Sequence, residues 1–291
     1  MARLVLSVLF FLFTFSAFAA NEETITFTSA DQNVFGTLAL PEGGPAPVVL
    51  MLHGFTGARD ELKTDHVKAG VFARTARRLA EQGYASLRID FRGSGESVDD
   101  LSFAQTTFDS QIADALAAVA YLKSSEQVQS DEIYLIGWSQ GGLVATAVAG
   151  RSKDLDVVAL WAAVADPKLT YGALLGPEVM KMGKAAGANE AVKVKLPWGA
   201  EIELNGTFFE GIESFDAIAE IAAFKGPLFV AQGIKDTTVV PESADKLIAA
   251  HEGPEQLWKA DMGHVFNTFT TEKTLDELID VTISFFKKHD D

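Results

Sequence analysis

The chain contains no cysteine. That excludes a disulfide framework, a thiolate nucleophile, a cysteine-ligated metal and a lipid-modified cysteine near the N-terminus. Positive charge is also scarce, 24 Lys and Arg against 40 Asp and Glu, for a formal charge of −16. Nucleic acid and anionic membrane surfaces both reward clustered Lys and Arg, so neither is an expected partner. The opening apolar run, Leu4 to Phe15, is too short to cross a bilayer. At ~1.5 Å per helical residue it covers about 18 Å of a ~30 Å hydrocarbon core. Arg3 before that run and Ala17-Phe18-Ala19 after it have the order of a secretory signal. Residues 1–19 are therefore expected to be cleaved, leaving an exported protein without a stable membrane anchor. Internal repeats, low-complexity stretches and long linkers are absent from the sequence as well.

The remainder is globular in composition, 48% apolar and 22% charged, and residues 20–291 suit a single α/β domain. Glu23–Phe27 and Val34–Leu40 flank a turn-rich stretch and predict an antiparallel hairpin. Pro47–Leu52, Ala85–Ile89, Ile133–Ile136, Val157–Leu160 and Leu228–Ala231 are short, nearly continuous apolar runs, with Gln256–Trp258 weaker. Parallel strands covered on both faces need that character. Between them, Val67–Gln82, Phe108–Lys123, Gln140–Ala149, Pro241–His251 and Thr274–Lys287 have helical spacing. Such alternation predicts a mostly parallel sheet with helices on both faces. Residues 167–225 break it, with several Gly and Pro and no βαβ unit, and are expected to form a cap inserted after the sixth strand.

Gly137-Trp138-Ser139-Gln140-Gly141 follows the Ile133–Ile136 strand and opens an Ala/Val-rich helix. A G-x-S-x-G turn between strand and helix holds a serine hydroxyl at the C-terminal edge of the sheet, above a helix N-terminus. A serine needs a base to take its proton and a third group to orient that base. Of the five histidines, His264 alone lies in a loop after the last strand, where the order Ser…Asp…His puts the base. Asp236, just after Leu228–Ala231, is the expected orienting acid; Asp166 and Asp261 are the alternatives. The oxyanion needs two backbone N–H donors. The expected pair is Gln140, after the nucleophile, and Phe55, in the loop His53-Gly-Phe-Thr-Gly57. The glycines of Asp90-Phe-Arg-Gly-Ser-Gly-Glu-Ser97 lack the lysine and the helix of a phosphate loop, so turning the chain is their expected job. No cofactor is expected.

Taken together, HGFTG followed by Glu61, the DFRGSGES run, Trp138-Ser-Gln-Gly-Gly142, Gly233…Asp236 and Gly263-His-Val-Phe266 resemble the α/β-hydrolases. Within them they resemble more narrowly the bacterial feruloyl and cinnamoyl esterases, which are capped serine esterases. The resemblance implies an α/β-hydrolase fold and a Ser139–His264–Asp236 triad with Phe55 and Gln140 as oxyanion hole. It also implies a cap closing over the acyl group of a hydroxycinnamate ester; short acyl esters are the other expected substrates. Tyr171 is the cap's only tyrosine, and Trp198 and Phe208-Phe209 offer apolar surface there. The expected partner is a small-molecule ester, and assembly is left open between a lone chain and a homodimer. A serine aminopeptidase on the same fold is the competing reading. It would use cap acids such as Glu201, Glu203, Glu210 and Glu213 to hold a substrate amine.

Overall fold

The computed structural model describes residues 21–99 and 101–290, so the expected signal lies outside the described residues. The chain opens with a hairpin, β1 (Asn21–Ser29) and β2 (Gln32–Leu40). Ala30 and Asp31 turn it, both at positive φ, as a two-residue hairpin requires. Then come β3 (Pro47–Leu52), α1 (Val71–Ala80), β4 (Ala85–Ile89), α2 (Phe108–Lys123), β5 (Gln129–Trp138), α3 (Gln140–Arg151) and β6 (Val157–Trp161). After β6 the chain leaves the sheet through α4 (Pro167–Leu175), α5 (Pro177–Ala185), the hairpin β7 (Ala191–Lys195) and β8 (Glu201–Asn205), α6 (Gly206–Ser214) and α7 (Ala217–Ala223). It returns as β9 (Leu228–Gly233), α8 (Glu242–Ala250), β10 (Glu255–Ala260) and α9 (Lys273–Lys288). Helix α1 is shorter than its apolar pattern predicts. Gly70, at φ 105°, turns the chain where a side chain would come within 2.3 Å of the Asp60 carbonyl oxygen.

The main sheet has the order β1-β2-β4-β3-β5-β6-β9-β10. The β1–β2 and β2–β4 pairings are antiparallel and the rest parallel. Its central strands are buried on both faces, which explains their unbroken apolar runs. Along β3, Val48, Leu50 and Leu52 face the α2/α3 side while Val49 and Met51 face the α1/α9 side. Among the described residues no helix is long and apolar enough to cross a membrane.

The segment expected as a cap divides in two. Helices α4 and α6 pack on Phe108 of α2, whose ring meets Tyr171, Phe208 and Phe215 at 5.2–5.8 Å, and α5 and the hairpin join them from the far side. Helix α7 instead lies in the helical layer against α3. Gly150 is needed there because a Cβ would sit 2.3 Å from the Glu220 carbonyl oxygen, and Arg151 pairs with the Glu220 side chain.

The loop after β4 is held by buried charge. Asp90 accepts the Arg59 and Glu96 amides at 2.7 and 3.0 Å and the Arg59 guanidinium at 2.6 Å. Arg92 donates its amide at 2.9 Å and its Nε at 2.5 Å to Asp114 of α2, whose side chain is fully buried. The glycine-rich run is thus a turn, as its composition predicts, and it fastens the loop after β3 to α2. Burial pushes the Asp114 carboxyl up, against the pull of Arg92. Removing one partner of a buried pair strands the other. Asp114→Ala is therefore expected to destabilise the fold by about 3 kcal/mol in urea unfolding. A loss below about 1 kcal/mol would contradict this role for the pair.

Candidate active site

At the end of β5 the backbone reverses through Ser139, at φ 56° and ψ −116°, and enters α3. The turn is too tight for side chains beside it. A Cβ at Gly137 would lie 2.4 Å from the Gly141 carbonyl oxygen, and one at Gly141 would lie 2.0 Å from that of Leu52. Gly142 faces the same limit, 2.4 Å from the Ala163 Cβ. Neighbouring chain pins the strained residue. The Ser139 amide donates to the Trp161 carbonyl at 3.0 Å, and its own carbonyl accepts from the Leu143 and Val164 amides at 3.1 and 3.2 Å.

His264 and Asp236 meet this serine from the loops after β10 and β9. His264 Nε2 lies 3.0 Å from Ser139 Oγ, and His264 Nδ1 lies 2.8 Å from Asp236 Oδ2. The Asp236 carboxylate is buried, and its other oxygen accepts the Thr238 and Val239 amides, each at 2.9 Å. Gln232 Nε2 donates to Oδ2 at 3.1 Å. The imidazole packs on Trp138, which in turn packs on Phe266. Asn267 shapes the histidine loop by accepting the Gly263 amide and donating to the Asp261 carbonyl.

The alternative acids stand elsewhere: Asp166 caps α4 and Asp261 pairs with Lys235 on the surface. The other histidines are apart from Ser139 Oγ too. His66 faces Glu272, His251 Nε2 donates to the Gly226 carbonyl at 2.9 Å, and His289 packs at a tilt against Phe285.

The two expected oxyanion residues flank the serine on separate loops. The Gln140 amide opens α3, where the first N–H groups have no helical acceptor. Among the described residues neither it nor the Phe55 amide donates to a protein acceptor. Their side chains are gripped by the cap. Tyr171 donates its hydroxyl to Gln140 Oε1, and Gln140 Nε2 donates to Gln111 at 2.7 Å. The Phe55 ring packs edge-on to Tyr171 and stacked on Phe208, both at 5.6 Å.

Below the loop His53 has a defined tautomer. Its Nε2 accepts the Phe91 amide at 3.2 Å, so the proton is on Nδ1, which donates to the Gly54 carbonyl at 2.9 Å. Burial lowers the His53 pKa and so favours that neutral form. Glu61 is the second residue whose part the sequence pattern left unassigned. It stands in the left-handed region at φ 60°, is half-buried beside the cavity at Ser139, and accepts the Gly54 amide.

Ser139 and His264 open into a cavity of about 530 Å³ with a mainly apolar lining that includes Phe55, Leu62, Val164, Tyr171, Leu174, Trp198 and Phe269. A larger open hollow of about 690 Å³ lies between Phe103 and the cap hairpin and contains none of Ser139, Asp236 or His264. Glu201 and Glu203 line that hollow, and Glu213 pairs with Lys168 and Lys184. None of the four cap acids, Glu210 included, lines the cavity at Ser139. Among the described residues no three His, Asp or Glu side chains gather as metal ligands.

Comparison with known proteins agrees with this architecture. Residues 71–289 match the prolyl oligopeptidase family, Peptidase_S9. The chain is 26% identical to Lipase 1 of Psychrobacter immobilis over 292 residues, 87% of this chain and 81% of that one. It is 29% identical to the protein YtaP of Bacillus subtilis over 163 residues, and there it spans only 54% of the relative's length. Among solved structures, Est1E of Butyrivibrio proteoclasticus with ferulic acid bound superposes with a TM-score of 0.75 at 20% identity, covering 91% of this chain and 98% of that one. The esterase domain of a Rhodothermus marinus protein superposes at 0.68 with 24% identity, over 92% and 99%. The chain has the α/β-hydrolase fold and belongs to the prolyl oligopeptidase family.

Proposed function

We propose that the protein is a serine carboxylic-ester hydrolase. The observation that carries this reading is the continuous line Ser139 Oγ–His264 Nε2 at 3.0 Å and His264 Nδ1–Asp236 Oδ2 at 2.8 Å, at the floor of a mainly apolar cavity. In the proposed reaction His264 takes the Ser139 proton as Oγ attacks the ester carbonyl. Asp236 keeps the imidazole oriented and stabilises its cationic form. The tetrahedral oxygen, now negative, accepts the Phe55 and Gln140 amides, with the α3 N-terminus adding favourable field. His264 then protonates the departing alkoxide. The acyl-enzyme remains until a water, deprotonated by the same imidazole, releases the acid.

The acyl group we assign is a hydroxycinnamate or a short acyl chain. Support comes from the aromatic walls of the cavity and from the likeness to a fold that holds ferulic acid. The Tyr171 hydroxyl donates its one hydrogen to Gln140 and so has none left to give to a bound acyl group. The family match favours peptide bonds as a second substrate class. Against it stands the absence of the four cap acids from the cavity lining.

Ser139→Ala is expected to lower kcat/KM on p-nitrophenyl acetate by about 10⁴-fold or more, and Asp236→Asn by about 10³–10⁴-fold. Initial rates would check both, and a serine variant within tenfold of wild type would refute the mechanism. On a panel of methyl ferulate, p-nitrophenyl acetate, butyrate and octanoate, and an alanyl arylamide, the ferulate and short acyl esters should be turned over best. Faster cleavage of the arylamide than of any ester would turn the assignment to a peptidase.

A further inference from the structure

We propose that Glu61 is a positioning residue for this reaction, its carboxyl holding the Gly54 amide so that the Phe55 N–H points at the developing oxyanion. The inference rests on the esterase reading and deepens it.

Gly54 is gripped at both ends. Glu61 accepts its N–H from inside the loop, and His53 Nδ1–H donates to its carbonyl from below. In a trans peptide the carbonyl of one residue and the N–H of the next point in opposite directions. Holding the Gly54 carbonyl down toward His53 therefore turns the Phe55 N–H outward. Holding the Gly54 N–H as well removes the remaining freedom of that residue to rotate. The carboxyl also fills the hollow of the loop: a Cβ at Gly57 would lie 2.6 Å from Glu61 Oε1. Gly54 itself is sandwiched, its would-be Cβ 3.4 Å from Ser139 Cβ and 3.5 Å from Glu61 Oε1.

Glu61 is a costly choice for mere packing. It adopts a left-handed backbone, a conformation that disfavours a long side chain. Its carboxyl is turned into the loop, away from bulk water, and accepts the Gly54 amide. Among the described residues it has no cationic partner. Neighbouring charges are engaged elsewhere: Arg59 with Asp90 and Glu96, Asp60 with Lys63 and Arg88, and His264 with Asp236. His53, on the far side of Gly54, is held neutral, while His66 and Arg74 face Glu272 and Asp276. Burial consequently pushes the Glu61 pKa up to about 7. Acid and carboxylate both present an oxygen that accepts an N–H, so the grip on Gly54 persists in either form.

The test compares wild type with Glu61→Gln, Glu61→Leu and Glu61→Asp on p-nitrophenyl acetate, with Ser139→Ala as control. Glutamine keeps an acceptor at the same reach, so its kcat is expected within about threefold of wild type. Leucine removes the acceptor and is expected to lower kcat about 10²-fold, as loss of an oxyanion donor does, with KM within about threefold. Should the leucine variant fail to fold, the aspartate variant decides. One methylene too short to reach Gly54, it should lose kcat at least about tenfold while glutamine does not. Wild-type kcat in both the leucine and aspartate variants, a glutamine variant as slow as leucine, or a loss in KM alone would overturn the proposal. A wild type inert on esters, or a Ser139→Ala variant as active as wild type, would instead refute the esterase reading beneath it.

A second readout follows the proton. The native carboxyl titrates near 7 and the unfolded one near 4.5, so between these values the native state holds the extra proton and stability falls as pH rises. Glutamine has no such proton. The Tm of Glu61→Gln relative to wild type should therefore climb from pH 5 to pH 8, and a pH-independent difference would contradict a buried carboxyl without a compensating cation.

Discussion

The reversal at Ser139 is the constraint on which the rest of the site depends. A non-glycine residue at φ 56° costs of order 1–3 kcal/mol and persists only where its surroundings leave no alternative. Here they are the close-packed ends of β3, β5 and β6. The Leu52 carbonyl crowds Gly141, Ala163 crowds Gly142, and Trp161 takes the serine amide. A buried parallel sheet supplies that rigidity, because its strands cannot slide without exposing a fully apolar face. The strain thus ends in a fixed hydroxyl direction, and the histidine and both proposed oxyanion loops have only to meet one point.

Besides apolar packing, those loops are ordered by carboxylates that accept main-chain amides. Asp236 takes two amides of its own loop, Asp90 takes the Arg59 and Glu96 amides, and Glu61 takes Gly54. An acidic side chain that accepts backbone N–H groups orders irregular chain where no ladder of hydrogen bonds exists. Part of the acidity of this protein therefore lies inside, in the service of loop geometry, while much of the rest is on the surface. The cap adds a further restraint. Tyr171 and Phe208 touch Phe55, and Tyr171 holds Gln140, so the cap braces both proposed oxyanion residues as well as walling the cavity.

Much of this was legible in the sequence because it depends on local pattern. Continuous apolar runs located the central strands, and the spacing of Phe108, Ile112, Leu116 and Val119 located α2 to the residue. Ser139, Asp236 and His264 follow from chain order, and the structure brings them within hydrogen-bonding distance. What stayed hidden is what long-range packing decides. Helix α1 starts late because Gly70 must pass under Asp60, a contact with no signature in helical periodicity. The 167–225 segment alternates too little to show that α7 leaves the cap for the helical layer. Glu61 stood in the motif as a bare letter; only burial inside the HGFTG loop gives its carboxyl a partner and a purpose.

A covalent intermediate on one serine is what separates this chemistry from any route in which water attacks the ester directly. The decisive measurement is intact-mass spectrometry of enzyme acid-quenched during turnover of p-nitrophenyl butyrate, followed by peptide mapping. The expected result is a mass gain of one butyryl group, mapped to the peptide containing Gly137–Gly142 and absent from Ser139→Ala. Continued turnover without any adduct, or an adduct on a residue other than Ser139, would contradict the mechanism.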